Sequence, residues 1–143
     1  MNRAFVDTNL FVYIYDNDHP TRQALAASLV RGLIRDRSIV VSTQVLQEFY
    51  ATVTRVFRPL LDPAEAEAAM FDLITLPVIQ VDVAIILAAM NRVQAMSISF
   101  WDALIVETAL TAGADRLLTE DMQHGRVVDG LRVENPFWGL DDR

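Results

Sequence analysis

The chain has 143 residues, 52% hydrophobic and 22% charged, a size and balance that suit one compact domain hiding roughly 70% of its unfolded surface. No apolar run approaches the ~18 residues of a membrane span. The absence of cysteine excludes disulfides, thiolate zinc sites and thiol nucleophiles, and with no lysine, Schiff-base and P-loop lysine chemistry are excluded too. A net charge of −7 argues against the broad basic face of an ordinary nucleic-acid binder, unless clustered acids hold a divalent ion that cancels them locally.

Residues 3–6 read as a first strand ending at Asp7, followed by a short helix over 10–15 and a longer one over 21–35. Residues 39–41 make a second strand. Ser42 or Thr43 caps a helix whose apolar stripe is Val45, Phe49, Val53 and Val56 or Phe57, with Glu48 at its edge. Asp62-Pro63-Ala64-Glu65 supplies a cap, a first-turn proline and a third-position acid, so a helix opens there and runs towards Ile74. Residues 78–81 make a third strand, Asp82 caps a helix through about Ala95, and Ser99 opens another that stops at Gly113. Residues 116–118 give a fourth strand. Residues 131–133 give a fifth, expected at an edge because Glu134-Asn135-Pro136 follows. Composition stays even until the acidic tail LDDR.

Strands separated by helices predict an α/β fold with a mainly parallel sheet, right-handed crossovers and helices on both faces. Ligands of such sheets bind outside the carboxyl ends of strands, where Asp7 and Asp121 follow the first and fourth strands. Asp102 shares a helix face with Ile105, Val106 and Ala109, so an acid stands on a core-facing stripe and a positive partner is expected nearby. Glu48 and Asp102 come from helices that could line the same crevice. Carboxylates meeting without cysteine or a histidine cluster form an oxygen-rich site, suited to Mg²⁺ or Mn²⁺.

Each acid also has an ordinary explanation. Asp102 fits a capping arrangement with Ser99, Asp7 and Asp121 fit turns after strands, and Glu48 fits an exposed helix position. Asp16-Asn17-Asp18 lacks the glycine and terminal glutamate of a calcium loop. His19 and His124 have no ligand-spaced partners, Trp101 is expected in the core rather than against a nucleobase, and Phe137 and Trp138 are expected to pack or to serve a dimer contact. Arg22, Arg31, Arg35, Arg37, Arg55 and Arg58 are candidates for a basic rim.

Four segments in order, VDTNLFVYIY, STQVLQEFYATVTR, SFWDALIVETAL and LLTEDMQHG, resemble PIN-domain ribonucleases, particularly the VapC-type toxins of toxin–antitoxin pairs, from Phe5 to about Phe137. The resemblance implies a single PIN domain over residues 1–143, an α/β/α sandwich. It implies that Asp7, Glu48, Asp102 and Asp121 form a catalytic quartet binding Mg²⁺ or Mn²⁺, with Asn9 and Thr119 orienting them through hydrogen bonds. Glu120 stands next to Asp121 and could share its role; Asp121 is assigned because it follows the threonine by two residues. The function implied is a metal-dependent endoribonuclease with an RNA substrate, a cognate antitoxin and a homodimeric state; independently, the acid within MNRAFVDTN, the lack of cysteine and the short apolar runs lead us to expect a cytoplasmic location and no membrane association. The rivals are a PIN-type nuclease acting on DNA or in RNA processing, and a non-catalytic regulatory partner. A receiver domain also places acids at strand ends, but its lysine is missing here.

Overall fold

In the computed structural model, which describes residues 2–140, strands and helices alternate as β1 (Ala4–Val6), α1 (Thr8–Ile14), α2 (Pro20–Arg35), β2 (Ile39–Ser42), α3 (Thr43–Val53), α4 (Pro63–Ile74), β3 (Val78–Ile79), α5 (Val83–Met96), α6 (Phe100–Thr111), β4 (Arg116–Leu118), β5 (Val127–Val128) and β6 (Leu131–Glu134). Residues 141–143 of the acidic tail lie outside the described residues. The sheet runs β3-β2-β1-β4-β6-β5, parallel throughout except for β5 against β6.

The central strands are buried on both faces. Phe5, Val6, Val40, Val41, Leu117 and Leu118 are all inside, which is why these strands read as continuous apolar runs rather than alternating ones. Right-handed crossovers put α1 to α4 on one face and α5 with α6 on the other, in agreement with the helix pairs that touch. α6 lies between the sheet and α5: Ile105, Val106 and Ala109 join the main core, while Ala103 and Leu104 meet Ile85 and Ala89 of α5 in a smaller one. A helix flanked on both sides must be apolar nearly all round, and ALIV followed by TAL supplies that.

The helix starts follow their capping chemistry. Asp62 accepts from the Glu65 N–H at 2.8 Å while the Glu65 carboxylate accepts from the Asp62 N–H at 3.1 Å, a reciprocal box; such a cap is worth about 1 kcal/mol. Ser42, Asp82 and Ser99 cap α3, α5 and α6.

Four expectations change. α3 stops at Val53, and Val56 and Phe57 are 88% and 95% exposed. The β-branched Thr52-Val53-Thr54 weakens the last turn and Pro59 forbids another, while the Val53 carbonyl is taken by the N–H groups of Leu60 and Leu61 at 2.9 and 3.0 Å. The third strand is two residues long, ending at Ile79 rather than Val81. The strand at 131–134 is not an edge: β5 covers it through a hairpin whose turn residues Asp129 and Gly130 both have positive φ, the conformation of a tight two-residue turn. Its signal, Asp-Gly between apolar residues, is present in VVDGLRV. Finally, Trp101 is 63% exposed rather than in the core.

The chain steps from β1 outward to β2 and β3, then returns to the opposite side of β1 for β4. Strand order therefore reverses between β1 and β4, the switch point at which open α/β sheets bind ligands. No single helix among the described residues is long and apolar enough to cross a membrane.

Candidate active site

Asp7 leaves β1 at that switch point and caps α1. Its Oδ1 accepts the Thr8 N–H at 2.7 Å and its Oδ2 accepts the Thr119 hydroxyl at 2.8 Å. Thr119 leaves β4 alongside and is fully buried. Its hydroxyl also accepts from the Asp121 N–H at 3.1 Å and faces the Asn9 amide nitrogen at 3.4 Å. A hydroxyl has one proton and two lone pairs. Two of Thr119's three neighbours are donors, so its proton must go to Asp7. The Asn9 amide also donates to Asp121 Oδ2 at 3.1 Å. One buried threonine thus ties together the acids that follow two neighbouring strands.

Glu48 and Asp102 arrive from opposite faces of the sheet. Glu48 accepts the Thr8 hydroxyl on Oε2 at 3.1 Å and the Gln44 amide on Oε1 at 2.9 Å. Gln44, buried at the start of α3, also donates to the Trp101 carbonyl of α6 at 3.3 Å, so it pins the two helices across the top of the sheet. Asp102 sits in the first turn of α6, half-buried, where its N–H is capped by Ser99 at 3.0 Å. Among the described residues no ion pair is made to Asp102, so the positive partner expected for it is not found there.

Burial dominates the electrostatics. Asp7 is pushed up from 3.8 to about 7, chiefly by loss of solvent, against the hydrogen bonds from Thr119 and Thr8; the charges of Asp121 and Glu48 raise it further. Asp102 is raised for the same first reason, a hydrogen bond with Ser99 works the other way, and Asp121 and Glu48 again push it up. Asp7 and Asp102 therefore each feel the charges of both Asp121 and Glu48 at one end of the sheet.

Glu120, the neighbour of Asp121, is engaged elsewhere. It accepts the Tyr13 hydroxyl at 2.9 and 3.1 Å and pairs with Arg22 at 3.1 Å. Arg22 lies over the rings of Tyr13 and Phe137, 5.5 and 5.0 Å from their centroids. Tyr13 is pushed up to about 12, first by burial and then by Glu120. Glu120 and Asp121 both border a cleft of about 510 Å³ shared with Thr8, Asn9, Tyr13, Glu48 and Arg55.

A hard divalent cation suits the donors here, which are all oxygen. The buried Asn9 Oδ1 and Gln44 Oε1 are acceptors with no partner among the described residues. Neither amide can be reversed, because each nitrogen already faces a carboxylate. Two spare acceptors therefore lie beside the carboxylates. No three acidic or histidine side chains among the described residues are gathered tightly enough to hold an ion by themselves. Mg²⁺ does not require that, since it keeps several waters and takes one or two carboxylates together with substrate phosphate.

A model of the PIN domain matches residues 4–129. The chain belongs to the PIN-domain family. This PIN domain shares its fold with a toxin–antitoxin complex from Klebsiella pneumoniae, at a TM-score of 0.71 and 16% identity over 93% of this chain and 97% of that one. It also resembles VapBC2 from Rickettsia felis bound to a promoter DNA fragment, at 0.66 and 19% over 92% and 97%. A third is Mycobacterium tuberculosis VapC20, described as a toxin that cleaves the sarcin–ricin loop, at 0.61 and 21% over 80% and 86%. No curated protein matches the sequence.

Around the PIN-domain acids, sequence reading overlooked Thr8, Gln44 and Tyr13. Gln44 carried a signal, because Gln and Glu four apart on a helix face each other. Tyr13 carried none: its partner Glu120 is 107 residues away. The basic rim divides. Arg55 borders the acid cleft and Arg58 pairs with Asp18 at 3.2 Å, whereas Arg35 and Arg37 lie where α2 feeds β2, at the opposite end of the sheet. Asp16 accepts from the Asp18 N–H and pairs with His19 at 2.9 Å, the work of a turn.

Proposed function

We propose that this PIN domain is a metal-dependent endoribonuclease serving as the toxin of a toxin–antitoxin pair in the cytoplasm, restrained by a cognate antitoxin and working as a homodimer. The observation that carries the reading is the hydrogen-bonded set Asp7, Thr119, Asp121 and Asn9 at the switch point, with Glu48 and Asp102 facing it from the two helix layers. Family membership supports nuclease chemistry, and fold relatives solved as toxins or toxin–antitoxin complexes support the biological setting.

Asp7, Asp102 and Asp121 are the groups that would hold Mg²⁺ or Mn²⁺, with Glu48 reaching it directly or through water. When bound, such an ion supplies neutralisation of phosphate charge and makes water acidic enough to attack phosphorus near neutral pH. The chain's own residues do the rest. Thr119 and the Thr8 N–H fix both oxygens of Asp7, so its orientation needs no rearrangement when substrate arrives. Asn9 fixes Asp121. Glu48, oriented by Thr8 and Gln44, accepts the proton released as water attacks in line. Glu120, held by Tyr13 and Arg22, shapes the wall of the cleft and is not assigned to the ion.

The test is cleavage of total cellular RNA by purified protein with Mg²⁺ or Mn²⁺, beside Asp102→Asn and beside single-stranded DNA. Discrete cut sites that need the metal and vanish in Asp102→Asn are expected. Undiminished cutting by that variant defeats the site assignment, preference for DNA defeats the RNA assignment, and no cutting of either defeats the enzyme.

A further inference from the structure

Beyond the acids, the cleft continues onto a loop that neither the fold nor the chemistry above requires. Residues 54–59 leave α3 and return to its last carbonyl, where Val53 accepts from both Leu60 and Leu61. The loop is closed at its base by those bonds, by the Thr54 hydroxyl on the Tyr50 carbonyl at 2.6 Å, and by the Arg58–Asp18 pair. Its tip is Val56-Phe57, the two most exposed large apolar side chains among the described residues. Scattered single apolar residues on a surface are ordinary. Two adjacent ones raised on a pinned loop, between Arg55 and Arg58, are not.

Arg55 connects this tip to the acids. It borders the cleft that holds Glu48 and Asp121, and it also borders the hollows beneath Phe57 and around Arg58. Its guanidinium makes no ion pair or hydrogen bond among the described residues, on a chain whose net charge is −7. An unpaired cation next to an exposed aromatic ring, continuous with a phosphodiester-cutting site, matches the way single strands are held: phosphate on arginine, base on a ring face.

We propose that the loop 55–58 is the substrate clamp of this domain, with Phe57 stacking on an unpaired base of a single-stranded RNA and Arg55 holding a phosphate on the path into the acid cleft. The proposal rests on the nuclease reading for its direction of travel but makes a claim about binding that can stand alone. A protein ligand is the less favoured occupant, since an apolar tip for a peptide would not need an unpaired arginine leading to the acids.

Fluorescence anisotropy of a labelled single-stranded oligoribonucleotide, with Ca²⁺ replacing Mg²⁺, tests it on the full chain. Phe57→Ala is expected to weaken binding about tenfold without changing the salt dependence, as loss of one base stack does, and Phe57→Tyr to restore it. Arg55→Ala is expected to weaken binding and flatten the slope of log K against log salt by about 0.7, the contribution of one phosphate on a single strand. Blunt duplex RNA should be indifferent to Phe57→Ala. Both side chains are exposed, so thermal melts should not move. Overturning results are single-strand affinity unchanged in both alanine variants, no single-strand binding by the wild type, or a Phe57→Ala variant that loses only a protein partner. Binding that follows these rules without cleavage on adding Mg²⁺ would sustain the clamp and defeat the nuclease reading; cleavage indifferent to both variants would do the reverse.

Discussion

The two halves of the acid cluster are built differently. Asp7 and Asp121 are clasped through a buried hydroxyl, with every neighbour of Thr119 accounted for. Asp102 and Glu48 stand half-buried on helices and are joined only indirectly, through Gln44 and the Trp101 backbone. The first half is rigid because its residues leave adjacent parallel strands whose ladder continues through the Asp7 N–H to the Leu118 carbonyl. The second depends on how α3 and α6 are spaced across the sheet. A site with one fixed and one adjustable half can settle around an ion and a substrate together, whereas four fixed acids would pay their full repulsion before either arrived.

This contrast can be broken from its strongest side first. Asp7→Asn keeps a competent helix cap but removes the charge, and cleavage is expected to fall about a thousandfold, the scale of losing one preorganised electrostatic group; single-turnover rates on a mapped RNA site measure it. Thr119→Val leaves all four acids in place while unclasping the rigid half. Mg²⁺ affinity should weaken about 10- to 100-fold, read by metal titration of activity, and Thr119→Ser should recover most of it. Gln44→Leu probes the adjustable half. A loss near fivefold, the worth of one net hydrogen bond of about 1 kcal/mol, is expected there, and a loss as large as that of Thr119→Val would erase the distinction between halves.

The smallest effect concerns pH. Asp7 titrates near 3.8 unfolded and is raised to about 7 by burial in the folded chain. Between those values the native state holds a proton that the unfolded state has released, so this group's contribution to stability is full below about pH 4 and is lost as pH rises through 7. In EDTA, melting temperature should therefore decline from pH 5 to pH 8 by about 3 °C or more from this source. Mg²⁺ competes with that proton, so its stabilising shift should be larger at pH 8 than at pH 5. Equal shifts at the two pH values would show that Asp7 does not face the ion.

Much of this was legible in the order of residues. Asp62-Pro63-Ala64-Glu65 specified its helix start because capping is a local reaction of the chain with itself. The parallel class followed from apolar runs too short for helices and separated by helical stretches. Asp7 and Asp121 stood out because they follow strands, and the sheet does bring those strand ends side by side. The Val56-Phe57 tip was misread as helix because an apolar pair at the right spacing looks the same whether it packs or projects; the deciding bonds run from Leu60 and Leu61 back to Val53. Trp101 was misplaced for a similar reason: α6 is apolar nearly all round, so sequence alone does not say which side meets solvent. The clasp of Tyr13 and Arg22 on Glu120 depends on contacts between distant segments and had no local signature at all.

Both margins of the sheet end in two-residue strands, Val78–Ile79 on one side and Val127–Val128 on the other. Such stubs offer too few free backbone groups to template a neighbouring chain. Growth by strand addition is thereby disfavoured, while Val83, Leu87 and Met90 of α5 leave an apolar helix face open to solvent.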